Sequence, residues 1–260
     1  MNCPDTSRRA FYGVSALFFA ASAAVTIVWC ASMSMGEMKM PGGWSMSMLW
    51  MRMPGQSWAG AATSFLGMWL AMMAAMMLPS LTPVLWRYRQ AVAMTDQSRL
   101  GRLTALMSVG YFFVWVVVGT AVFAVGAALA ALEMQLPWLA RAVPMAVGGV
   151  VMFAGALQFT AWKARQLARC RRAPMCGGTH PADGAWRHGL RLGLRCSGCC
   201  AGLTAALLVV GVMNVPAMTV VTAAITLERL APAGERVARA IGALILGMGM
   251  CLIARACGQG

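Results

Sequence analysis

Sulfur is the chemistry this chain offers in quantity: 24 methionines and nine cysteines in 260 residues. Eight methionines fall in one short stretch as four Met-x-Met pairs: Met33 and Met35, Met38 and Met40, Met46 and Met48, Met51 and Met53. Gly, Pro, Ser and charged residues interrupt that stretch too often for a core helix, so packing is a poor reason for its thioethers. Thioethers are soft, polarizable donors that suit Cu(I) or Ag(I) and discriminate against hard cations. They need no deprotonation and form no disulfide, so capture survives acidic, oxidising surroundings. The plainer alternative is an interfacial loop anchored among lipid headgroups by Trp44, Trp50 and Trp58. The density of Met-x-Met pairs favours metal capture.

Two further sulfur groups follow. In the run Phe65 to Ser80, Met68, Met72 and Met76 make one i, i+4 ridge of a helix, with Met73 and Met77 in the adjacent row. They are either flexible packing, helped by Gly67, Ala71, Ala74 and Ala75, or a ladder that relays soft metal inward. Cys196, Cys199 and Cys200 have i, i+3, i+4 spacing, which puts three thiols on one face and suits a ligand cluster at a helix start. Cytosolic cysteines that stay reduced and serve packing are the competing reading. Cys170, Cys176, His180 and His188 precede them, but without a standard zinc spacing.

The spans contain little else that could react. Asn214, with Met213 before it and Met218 four residues on, is the main strongly polar group, either functional or bonded to a backbone freed by Pro216. Glu133 and Glu228 are expected at span ends, paired with Arg141 and Arg229. No charged side chain is expected mid-span, which removes a proton relay, and no phosphate loop or nucleophile elbow is present. Catalysis is poorly supported.

The elements that must position these groups are membrane helices. The chain is 60% apolar and 11% charged, against about 25% charged in soluble domains. Several apolar runs approach the length of a bilayer span, and nothing reads as a barrel. The expected fold is all-α: a polytopic membrane bundle of about six helices, near 10–31, 59–85, 103–131, 139–162, 196–227 and 238–256. Residues 1–31 form an N-terminal segment with a retained first helix. Residues 32–57 form an extracytoplasmic Met-rich loop. Residues 58–260 form the remaining bundle, with a basic Cys/His-containing cytoplasmic loop at 163–195. The formal charge of +14 sits mostly in loops, as topology information rather than a nucleic-acid surface. An N-terminus in the cytoplasm puts most Arg and Lys inside. Residues 196–227 are too long for one straight span and are read as one helix kinked at Pro216. Two half-helices that dip in and return are the alternative, and they improve the charge bias.

Four motifs combine: Met-Pro-Gly-Gly-Trp-Ser-Met-Ser-Met within Met40 to Gly55, Met-Trp-x-x-Met-Met-x-x-Met-Met-x-Pro-Ser at Met68 to Ser80, Cys-x-Gly-Cys-Cys at Cys196 to Cys200, and Gly-x-Met-Asn at Gly211 to Asn214, with Glu228-Arg229 beyond. Together they resemble a bacterial family of predicted metal-binding integral membrane proteins, over roughly residues 30–255. Relatives carry an aromatic near Pro216, which leaves helix geometry there open. The resemblance implies a membrane protein with a metal site and supplies no reaction. The expected function is binding, and transfer across or at the cytoplasmic (inner) membrane, of a soft metal ion, copper as Cu(I). A metallochaperone or metalloenzyme is the expected partner, besides the lipid bilayer. The alternatives are a non-catalytic membrane subunit or scaffold, and a thiol-redox membrane enzyme using Cys199 and Cys200.

Overall fold

The computed structural model describes residues 3–33, 37–39, 45–47, 50, 52, 55–93, 97–171 and 181–258. Eight α-helices account for nearly all of them: α1 (Cys3–Met33), α2 (Trp58–Ala93), α3 (Leu100–Gln135), α4 (Pro137–Leu157), α5 (Ala161–Arg171), α6 (Pro181–Gly211), α7 (Val215–Leu230) and α8 (Gly234–Gly258). Six of these, α1 to α4, α6 and α8, are long and apolar enough to cross a membrane. Helices are the form such sequences must take in lipid, because each helix satisfies its own backbone hydrogen bonds. Large apolar side chains such as Leu17, Phe113, Phe153 and Leu244 project outward from the bundle.

The Met-rich stretch is not irregular throughout. Strands β1 (Glu37–Lys39) and β2 (Ser45–Ser47) pair antiparallel, with Met38 opposite Met46 in the backbone register. The side chains of Met33, Met35, Met38, Met40, Met46, Met48, Met51 and Met53 lie outside the described residues. Trp50 lies within them: its ring is 5.3 Å from that of Phe65, and Phe65 in turn touches Phe123 and Trp69. The aromatic group caps the Met-bearing face of α2.

Two corrections concern the second half of the chain. The expected loop at 163–195 is largely helical. Its first part belongs to α5, and residues 181–195 form the first half of α6. Only residues 172–180, including Cys176 and His180, fall outside the described part. The single kinked helix over 196–227 is not formed either. α6 ends at Gly211, which adopts φ +133°, a conformation open to glycine and strained for other residues. Asn214 then caps α7, accepting a hydrogen bond from Ala217 N at 2.9 Å, with Pro216 in the first turn, where its missing N–H costs nothing. Asn214 is exposed at this turn, not buried in mid-span. The chain reverses here, because Arg229 at the far end of α7 comes back to touch Cys196 of α6.

Hydrophobic burial does not pull helices together in lipid, so close approach through small residues must do so. α3 and α6 meet through Gly110, Gly189 and Gly193. A Cβ on Gly189 would strike the Met107 carbonyl, and one on Gly193 would lie 2.9 Å from the Tyr111 carbonyl oxygen. α4 and α8 meet antiparallel through Gly148, Gly155, Gly242 and Gly249. The first seam fixes α6 against α3 at the height of the cysteines.

Reversal at Gly211 sends α8 from the end of the bundle that carries the N-terminus to the opposite end. By sequence position, sixteen of the described basic residues then belong to the N-terminal end, and Lys39, Arg52, Arg141 and Arg255 to the other.

Candidate metal centre

α2 supplies a continuous sulfur face. Met68, Met72, Met73, Met76 and Met77 are all buried, as the i, i+4 spacing requires of a helix facing its neighbours. Trp69, in the same face, donates to the Trp115 carbonyl oxygen at 2.9 Å and packs on Gly119. Met77 is the member that reaches the thiols, with its Sδ 3.7 Å from Cys196 Sγ.

Cys196 lies fifteen residues into α6, not at a helix start. It is fully buried, and four groups converge on it from four helices. Besides Met77, Cys200 Sγ of the next turn is 4.0 Å away. Tyr111 Oη of α3 donates to Cys196 Sγ at 3.0 Å. Arg229 Nη1 of α7 donates to it at 3.2 Å and to Ser80 Oγ at 2.8 Å. Cys199 lies within reach of Cys200 and of Cys170 of α5, whose own Sγ donates to the Arg195 carbonyl oxygen at 3.0 Å. The thiols therefore run in a series, with Cys200 beside both Cys196 and Cys199, and Cys170 beyond Cys199. Among the described residues no three Cys, His, Asp or Glu side chains form a cluster able to hold a metal. A three-ligand set must include the Met77 thioether.

The spacings fit such a set. A metal–sulfur bond of about 2.3 Å separates two ligands by roughly 3.8 Å in tetrahedral and 4.0 Å in trigonal geometry. The observed separations from Cys196 are 3.7 and 4.0 Å. Two thiols and a thioether form a soft donor set, which suits Cu(I).

The charges around the site were missed in the sequence. Arg229 is 7% exposed, and among the described residues it has no carboxylate within ion-pair distance. Among the described residues its Nη2 has no hydrogen-bond partner. Its neighbour Glu228, 1% exposed, is not an interfacial partner for it. Glu228 instead accepts from Lys163 Nζ at 2.7 Å and Gln158 Nε2 at 2.9 Å. Lys163 also donates to the Cys199 carbonyl oxygen at 2.8 Å, which ties α5 to α6 and α7. Burial acts to lower the Lys163 pKa, but Cys199 and Glu228 outweigh it and hold the ammonium above its ordinary value. The hydrogen bond to Cys199, and then burial, push the Cys170 thiol well up. With Lys163 and Glu228 neutralising each other, Arg229 is left as the uncompensated charge beside Cys196.

Other candidates lie apart. His188 stacks near Tyr88 at 5.4 Å between ring centres, away from the thiols. Met213 sits at the α6–α7 turn, where Cys30 of α1 donates to its Sδ at 3.7 Å, and Met218 is buried one turn further on. Tyr111 carries no motif of its own, and although Ser80 and Arg229 close two of the motifs, it is the α3–α6 seam and the α6–α7 reversal that bring Tyr111 and Arg229 to the site.

No curated protein and no solved structure matches the chain. A family model does match, over residues 66–252, which takes in the methionines of α2, the cysteines of α6 and the reversal that returns Arg229. Its description is PpoB2, copper chaperone, and the chain belongs to that family.

Proposed function

We propose that this chain is a multi-pass protein of the cytoplasmic membrane that binds Cu(I) as cargo and hands it to another protein. Cys196, Cys200 and Met77 are the ligands of the central site, with Cys199 and Cys170 as the next thiols along. The observation that carries this reading is the environment of Cys196. Two further sulfurs lie at coordination spacing, and a buried guanidinium without a carboxylate partner is bonded to it. A bis-thiolate Cu(I) centre has a net charge of −1, and Arg229 supplies the counter-charge. Binding releases thiol protons, because the ligands must be deprotonated.

The remaining parts fall into sequence around that site. The loop methionines Met33 to Met53 capture the metal on the side opposite the basic end. Met68, Met72, Met73 and Met76 carry it along α2 to Met77. Thioether-to-thiolate exchange tightens binding and sets the direction. The basic end faces the cytoplasm, by the excess of Arg and Lys there. A metallochaperone or metalloenzyme receives or supplies the metal.

The test is anaerobic Cu(I) titration of the purified protein. The parent is expected to bind copper tightly at the central site, and a Cys196→Ser, Cys200→Ser variant is expected to lose that site while keeping weak thioether binding. Equal binding by both proteins removes this reading and favours a membrane scaffold.

A further inference from the structure

A cavity of about 290 Å³ opens beside the sulfur site, between α2, α5 and the α7–α8 turn. Among the described residues its lining includes Ser80, Arg87, Cys170, Arg171 and Arg229, with three guanidinium groups and no carboxylate. Arg171 is held in place by donating to the carbonyl oxygens of Arg229 at 3.2 Å and Pro232 at 3.2 Å. Arg229, more than nine-tenths buried, brings an Nη2 without a partner among the described residues. A second cavity of about 250 Å³, between α4, α5 and α8, differs in charge. It carries Glu235 beside Arg239, and Lys163 already neutralised by Glu228.

A bare monovalent cation is repelled by three guanidinium groups, so this is no path for free Cu(I). The cavity suits an anion, and among its described lining residues the sulfur is the Cys170 thiol. Its volume lies at the lower edge of ordinary small-molecule sites, about 300 Å³. That admits something of amino-acid to tripeptide size and excludes a folded partner. We propose that the cavity is a docking site for a small anionic thiol that brings soft metal to Cys170, or takes it away, as its thiolate complex. The thiol part rests on the copper reading above, whereas the docking of the anion does not. In the loading direction the carrier's carboxylate lies against the guanidinium groups. A metal–sulfur bond forms to Cys170 as the bond to the carrier breaks, and the Cys170 proton passes to the departing carrier thiolate. No electron is transferred, and unloading is the reverse.

The first probe is S-methylglutathione, which has the carboxylates of such a carrier but no free thiol, added to the metal-free protein and followed by calorimetry. Saturable binding is expected, weakened at least tenfold in Arg87→Gln, a residue outside the sulfur site. No binding, or binding indifferent to Arg87→Gln, overturns the docking site whatever the protein does with copper. Inorganic phosphate is the second probe, and displacement of S-methylglutathione by equimolar phosphate reduces the cavity to a general anion site and overturns the thiol assignment. The third measurement is Cu(I) loading from its glutathione complex and from its complex with the neutral thiol N-acetylcysteamine. Parent protein is expected to load at least tenfold faster from glutathione, and Arg87→Gln to lose that preference at unchanged final stoichiometry. Equal rates from both donors refute the carrier role and leave the copper site standing. S-methylglutathione binding together with no metal uptake from either donor refutes both the carrier role and the copper reading, and retains only an anion site.

Discussion

Replacing Arg229 by Met should separate metal affinity from fold stability with opposite signs. In the metal-free protein the guanidinium is desolvated without a carboxylate, a condition that costs stability, and replacing a buried charge by an apolar group of similar size is often neutral or stabilising. Its hydrogen-bond partners are not orphaned. Ser80 Oγ keeps its bond to the Met77 carbonyl oxygen at 3.1 Å, and Cys196 keeps the Tyr111 hydroxyl. The apo melting temperature should therefore hold or rise. With Cu(I) bound by two thiolates, the site carries a negative charge within reach of Arg229, which lies 3.2 Å from Cys196 Sγ. Unit charges about 4 Å apart interact by about 4 kcal/mol at an effective dielectric constant near 20. Leaving a buried charge without its partner costs about 3–5 kcal/mol. At the lower figure of about 3 kcal/mol, the Kd for Cu(I) rises roughly a hundredfold. Competition against a chromophoric Cu(I) chelator measures the affinity, and a thermal melt of the apo protein measures stability. Affinity within threefold of the parent would show that Arg229 is not the counter-charge, and the electrostatic argument would fail.

Further predictions follow from single contacts. Met77→Leu conserves core volume, so it should cost less than about 1.5 kcal/mol of stability, while X-ray absorption loses one sulfur neighbour of the bound copper. Gly189→Ala brings a Cβ against the Met107 carbonyl and should part α3 from α6, lowering the melting temperature and weakening Cu(I) binding as Tyr111 leaves Cys196; a variant with both properties intact would contradict the glycine seam. Converting Met68, Met72 and Met76 together to Leu should leave equilibrium affinity at Cys196 unchanged and slow uptake into it, read by stopped-flow loading. Uptake at the parent rate would make those methionines packing alone.

The sulfur face of α2 was legible because its period is that of a helix and its length leaves no alternative. α6 was harder. Arg187, Arg191 and Arg195 read as loop charges, but their i, i+4 spacing places them on one face, with Arg187 and Arg191 exposed. Ala185, Gly189, Leu192, Cys196 and Leu203 make the opposite, buried face. That pattern was available and would have put the helix start near 181. The reversal also had a signal, glycine at 211 followed by Asn-Val-Pro, an N-cap with proline in the first turn. It was outweighed by the shortness of each half, a reasonable objection for lone spans that loses force when α7 packs against α2 and α6. Arg229 was legible as the end of a Glu-Arg pair but not as a neighbour of the thiols. At the end of an apolar run a lone arginine reads as interfacial, and only the reversal brings it beside Cys196. The approach of Cys170 to Cys199 likewise depends on α5, a short helix without an apolar signature.

The central claim is that Cys196, Cys200 and Met77 together hold Cu(I). X-ray absorption at the copper edge, on protein loaded anaerobically with one equivalent of Cu(I), tests it most directly. The account predicts sulfur neighbours only, at about 2.3 Å, three in the parent and a collapsed signal in the Cys196→Ser, Cys200→Ser variant. Oxygen or nitrogen neighbours, or an identical spectrum from that variant, would contradict it.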